Sequence, residues 1–208
     1  MLAPLGVAWA QVGLYPDEIE RLDVISIEED GRDLVAINAV GDSRPRVRLE
    51  VDEPVVFREC SGRICVVLTD RRALGVSVSG IFQEARFRIA ERAPDRALVS
   101  QRLALVATPH RLLGFVAEHG RWVEEGLTPG ESIEAVRIGA AVAAAATNRR
   151  ALGLAPNTAR FASLPLQLKE SLESFAADDT LATLRTDRRS LVFSGPRGTW
   201  TARRRDGS

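Results

Sequence analysis

Four pairs of basic residues recur along the chain: Arg71-Arg72, His110-Arg111, Arg149-Arg150 and Arg188-Arg189. Each pair begins two positions after a threonine, and Thr69, Thr108, Thr147 and Thr186 are 39 residues apart each time. A guanidinium is a rigid planar fork of donors, so clustered arginines suit a carboxylate, sulfate or phosphate through paired hydrogen bonds. All eight residues are candidates for a ligand-binding face. A structural reading stands beside it. Asp52-Glu53, Glu91 with Asp95, Glu131 and Glu170 recur between the pairs, so every repeat carries acids able to neutralise its arginines. The threonine-led tetrapeptide has a local use as well, since an Asx or ST turn closes a tight hairpin.

Nothing else in the sequence specifies a reaction. His110 and His119 are the only histidines and fall in successive turns, facing opposite ways in a hairpin arrangement. There is no G-x-S-x-G, HExxH, P-loop or dinucleotide fingerprint, so no catalytic residue is assigned. Cys60 and Cys65 flank a Ser61-Gly62 bend. A disulfide is geometrically feasible there, but position 65 corresponds to Ala104, Ala143 and Ala182, a place for a small buried side chain. With no convincing secretion signal, reduced thiols are the expectation. No CxxC or paired Cys/His spacing occurs, so neither metal nor cofactor is expected.

Charge narrows the partners. Lys plus Arg and Asp plus Glu each total 28, for a formal net charge of zero, which gives no general attraction to nucleic acid or membrane. Lys169 is the sole lysine, a bias that a GC-rich genome also produces. No apolar run approaches the ~18 residues that cross a bilayer. The first ten residues lack the basic start and long apolar core of a signal peptide. A cytoplasmic location is expected.

Stepping outward from the threonines, the repeat stays in register. Apolar runs precede each one (Ile64 to Leu68, Leu103 to Ala107, Val142 to Ala146, Leu181 to Arg185). A hydrophobic residue follows at Val76, Phe115, Leu154 and Phe193, then an aromatic at Phe82, Trp122, Phe161 and Trp200. Taking the second copy, Val55–Cys60, Ile64–Leu68, Ala73–Val78 and Phe82–Ile89 are four short apolar segments with Gly, Ser or Asp between them. Such segments read as strands joined by hairpins. A helical repeat solenoid is the alternative, because Ile133 to Ala146 is alanine-rich and follows a helix-start signal. The β-branched run Ile64 to Leu68 argues against it, since copies of one unit share one fold.

A four-stranded unit of about 40 residues resembles the blade of β-propeller repeat proteins, over essentially the whole chain. No WD dipeptide or kelch double glycine is present. The resemblance implies an all-β, five-bladed β-propeller built from ~39-residue four-stranded repeats. Its blades would be roughly 15–54, 55–93, 94–131, 132–170 and 171–208, in a single domain 1–208. Residues 1–14 are expected to add a closing strand, because Leu5-Gly6-Val7 echoes the Leu-Gly-hydrophobic element. Small residues before each threonine suit the inner strands of packed blades, and the aromatics suit wedges between blades.

Fold alone does not assign function. The expected function is a non-enzymatic binding or interaction module that presents the arginine-rich face to an anionic small molecule or a protein partner. The alternatives are a hydrolase or lyase acting at a central channel mouth, and a structural module that self-associates.

Overall fold

Ile64-Cys65-Val66-Val67-Leu68-Thr69 shows why the chain forms stacked sheets. Successive side chains of a strand point to opposite faces, yet all six are buried, so both faces of this strand are covered. The structure, a computed structural model, describes residues 23–89 and 91–204. Among them there is no helix. The segment Ile133 to Ala146 forms a β-hairpin, which removes the helical alternative.

Five antiparallel sheets follow one another in chain order. The first contains β1 (Ile25–Asp30), β2 (Asp33–Asn38) and β3 (Arg46–Arg48). The second contains β4 (Val55–Ser61), β5 (Ile64–Thr69), β6 (Arg72–Ser77) and β7 (Gln83–Arg86). The third holds β8 (Leu98–Val99), β9 (Leu103–Ala107), β10 (Arg111–Val116) and β11 (Arg121–Gly126). The fourth runs through β12 (Ile133–Ile138), β13 (Ala143–Thr147), β14 (Arg150–Leu154) and β15 (Ala162–Pro165). The fifth runs through β16 (Leu172–Ala177), β17 (Leu181–Thr186), β18 (Arg189–Ser194) and β19 (Thr199–Arg204). Every sheet is a simple meander, the topology of a propeller blade, and the chain is an all-β fold of five such blades. The expected closing strand at 1–14 lies outside the described residues.

Blade-to-blade packing sets the residue types. Val66 and Leu68 of blade 2 meet Ala104, Val106 and Phe115 of blade 3. Leu103 and Leu105 of blade 3 meet Ala143, Ala145 and Leu152 of blade 4. Val142 and Ala144 of blade 4 meet Ala182 and Phe193 of blade 5. The aromatics do wedge between blades. Phe115 and Trp122 stack edge-on with centroids 5.2 Å apart, and the Trp122 indole donates to Gln83 O of the preceding blade at 3.1 Å. Phe193 and Trp200 repeat the arrangement at 5.3 Å, with Trp200 donating to Ala162 O at 3.1 Å.

Cys60 and Cys65 are directly opposite in the β4–β5 ladder and are joined by a disulfide, their Cα atoms 4.0 Å apart. This corrects the expectation of reduced thiols. Position 65 is buried and small, as its alanine counterparts require, but the hairpin register also places Cys60 immediately across from it.

Candidate functional site

Each blade from the second onward turns between its second and third strands on a threonine. Thr69 Oγ1 accepts from the backbone N–H groups of Arg71 and Arg72 at 3.1 and 3.0 Å, which fixes the turn. The hydroxyl then donates to Glu53 Oε1 at 2.8 Å. The same bond joins Thr108 to Glu91 at 2.6 Å, Thr147 to Glu131 at 2.8 Å and Thr186 to Glu170 at 2.7 Å.

The second cation of each pair opens the third strand and grips that glutamate with two donors. Arg72 uses Nε and Nη2 at 2.8 and 2.9 Å, and Arg189 does so at the same two distances. Arg111 holds Glu91 at 2.9 and 2.7 Å, and Arg150 holds Glu131 at 2.8 and 3.3 Å. Each Nη2 also reaches back to the last residue of the preceding blade. The acceptors are Arg48 O at 2.9 Å, Arg86 O at 2.6 Å, Gly126 O at 2.7 Å and Pro165 O at 2.6 Å. The Thr-Glu-Arg trio is therefore a clamp that ties each blade to its predecessor.

Burial makes the clamp energetically serious. The four glutamate side chains are at most 1% exposed, and Arg72 and Arg111 are 6% exposed. Charges so far from water require full pairing, and every buried side-chain polar atom among the described residues has a partner. Desolvation opposes ionisation of Glu91. Hydrogen bonds from Arg111, the Arg88 N–H and Thr108 outweigh it and hold the carboxyl at about 2. The same balance holds Glu131 at about 2, and Glu53 and Glu170 are lowered likewise.

A depressed carboxyl gives stability that is fully present above its unfolded value and is lost as pH falls through its folded value. For Glu91 and Glu131 that window runs from 4.5 down to about 2. Acid unfolding should accordingly be steep and multi-proton between those limits, with no loss from pH 7 to 5. A chain whose stability already falls between pH 7 and 5 would point to other groups.

The first member of each pair is placed differently. Arg71, His110, Arg149 and Arg188 lie at the turn tips, with Arg71 half-buried and the other three exposed. Arg71 meets a carboxylate, Glu50, at 2.9 Å. Arg149 and Arg188 meet neutral oxygens instead, Thr128 Oγ1 at 3.1 Å and Gln167 Oε1 at 3.5 Å. An open groove of about 410 Å³ lies between the His110 turn and the connection Leu127 to Glu131. Arg149 reaches that connection from the next blade. The hollow between blades 1 and 2 has the opposite character, lined by Glu29, Glu50, Asp52 and Asp70 together with Arg32 and Arg58. Carboxylates thus outnumber arginines around the hollow of blades 1 and 2, whereas Arg149 and Arg188 extend as cationic tips from blades 4 and 5.

The eight arginine-turn residues anticipated from the sequence therefore split into four clamp residues and four tips. Sequence reasoning paired the arginines with the right glutamates but missed their second carboxylates, Glu84, Glu124 and Glu125. Those partners depend on strand register: Glu84 and Glu124 lie diagonally across β6–β7 and β10–β11. Among the described residues, no group of three or more His, Cys, Asp or Glu is placed to hold a metal ion. His110 and His119 lie beyond opposite ends of β10.

The blades and their clamps define the chain as a β-propeller protein. No family model matches it, and no curated relative is significantly similar. Among solved structures it is similar to human WBSCR16, at 12% identity and a TM-score of 0.43 over 77% of this chain and 56% of that one. It is also similar to Prp20p of Saccharomyces cerevisiae, which binds Gsp1p and histones, at 9% identity and 0.41 over 83% and 56%. Hsv2 of Kluyvelomyces marxianus matches at 12% and 0.38 over 82% and 56%. The chain spans just over half the length of each.

Proposed function

We propose that this protein is a non-enzymatic interaction module that takes an anionic ligand, or an acidic segment of a partner, on the turn tips of blades 3 to 5. His110, Arg149 and Arg188 carry the contact. The supporting observation is that Arg149 and Arg188 are exposed and, among the described residues, bonded to neutral oxygens, whereas Arg72, Arg111, Arg150 and Arg189 are already committed to buried carboxylates. A tip arginine can exchange a neutral acceptor for an anion at little cost. A clamp arginine cannot do so without leaving a glutamate buried and unpaired.

Thermal unfolding in sulfate or phosphate at constant ionic strength separates binding from screening. An anion at ~100 times its dissociation constant should stabilise the fold by roughly 2.7 kcal/mol. Arg149→Gln combined with Arg188→Gln should remove that gain and leave the unliganded midpoint nearly unchanged. No shift with sulfate, phosphate or a polyglutamate peptide would refute the reading.

A further inference from the structure

Among the described residues, two sheet faces in the stack are covered by no other blade. Strands β5 and β13 are buried on both sides, but β17 exposes Leu181, Thr183 and Arg185, and β1 exposes Ser26, Glu28 and Asp30. Neither face includes the turn tips. We propose that the two faces bind one another between copies, so that blade 5 of one chain stacks head to tail on blade 1 of a second copy.

The repeat register identifies which residues would meet. Within the chain, successive blades set Leu68 with Val106, Ala107 with Ala145, and Ala146 with Leu184. The next pair in that series is Arg185, one repeat beyond Ala146, with Glu28, four repeats before Leu184. Ala144 with Ala182 likewise leads to Thr183 with Ser26. The third series is a close contact between blades. Gly75 lies under the Phe115 ring, Gly114 under Leu154 and Gly153 under the Phe193 ring. Its successor is Val192 with Ile37.

All three successors change on both sides at once, and the changes match. An apolar pair becomes a cation with an acid. An alanine pair becomes two hydroxyls. Where glycine grows to valine, the side chain lying over it shrinks from phenylalanine to isoleucine. A face meant only for water would need charge, but it would not need the opposite face to complement it in sign and volume. Arg185 is held by Glu173 at 3.5 Å and Asp30 by Arg46 at 3.6 Å, both exposed pairs that can rearrange at an interface. A heterologous contact of this kind repeats, giving a ring where its rotation closes and an open filament where it does not.

Sedimentation of the full chain across the micromolar range tests the proposal. The expected mass is a whole multiple of one chain, falling back toward one chain as salt screens the seam. Arg185→Glu alone and Glu28→Arg alone should each give monomers, with circular dichroism confirming that they remain folded. Mixing the two variants should restore assembly, because each supplies the charge that the other's face lacks. A wild-type monomer throughout the range, or assembly that survives both single reversals, would overturn the proposal. So would monomers whose melting temperature drops in each single variant and recovers only with both changes in one chain. That outcome would assign the seam to ring closure within one molecule.

Discussion

Glu91→Gln should cost about 3–5 kcal/mol of folding stability, because it leaves Arg111 buried against a neutral group. The substitution is nearly isosteric and keeps an oxygen for Thr108, so the loss reports charge rather than shape. The Arg111 guanidinium is 6% exposed, and water cannot replace the missing partner. Glu124→Gln is the internal control. Glu124 contacts the same arginine, at 2.7 Å, but is 42% exposed, and such pairs contribute about 0–1 kcal/mol. Urea unfolding of both variants should separate them clearly. Glu91→Gln should also make the acid limb less steep, since one of the two carboxyls held at about 2 is gone while Glu131 remains. Equal and small losses in the two variants would mean that the clamp contributes little to holding blades together.

Phe115→Ala should cost a comparable amount, about 3–5 kcal/mol. The ring is fully buried, lies over Gly75 and supports Trp122 from the side. Its removal opens a cavity at the contact between blades 2 and 3. The converse change tests the equivalent contact between blades 4 and 5. A Cβ at Gly153 would come within 2.6 Å of the Phe193 ring, so Gly153→Ala must push two blades apart. Over-packing of that sort costs roughly 1–3 kcal/mol. Gly153→Ala combined with Phe193→Leu should be less harmful than the two single losses added together, because neighbouring changes at one contact are coupled. Additive losses would show that the glycine is there for another reason.

These contacts explain which parts of the fold were legible in the sequence. The threonine spacing fixed the blade register, and the apolar runs before Thr69, Thr108 and Thr147 became strands covered on both faces, while the run before Thr186 is buried on one face only. Strand ends were less visible. Val47–Val51 reads as a strand, yet β3 stops at Arg48. The backbone must turn there to bring Glu53 back, with Asp52 at φ 55° and the Glu50 N–H bonded to Glu53 Oε2 at 2.7 Å. Phe82–Ile89 shortens to Gln83–Arg86 for the same cause, with the Arg88 N–H bonded to Glu91 at 2.9 Å. Short-range patterning shows the apolar residues but not where a carboxylate is needed one strand later. The candidate site was half legible. Both residues of each basic pair look alike in sequence, and only the start of the third strand separates them, turning Arg150 inward and leaving Arg149 at the tip. The polar faces of blades 1 and 5 could be read as departures from the repeat, but their complementarity becomes apparent only once the packing partners are known.

The division of labour between adjacent arginines is tested most directly by comparing Arg149→Gln with Arg150→Gln. Urea unfolding of each variant, with and without sulfate at constant ionic strength, gives both quantities from one experiment. Arg150→Gln should lose several kcal/mol, of order 3, and keep its response to the anion, since Glu131 is left buried without its bidentate partner. Arg149→Gln should unfold at nearly the wild-type midpoint without sulfate, and the anion's stabilisation should be reduced or absent. Equal losses of stability, or an anion response abolished by Arg150→Gln and untouched by Arg149→Gln, would contradict the account.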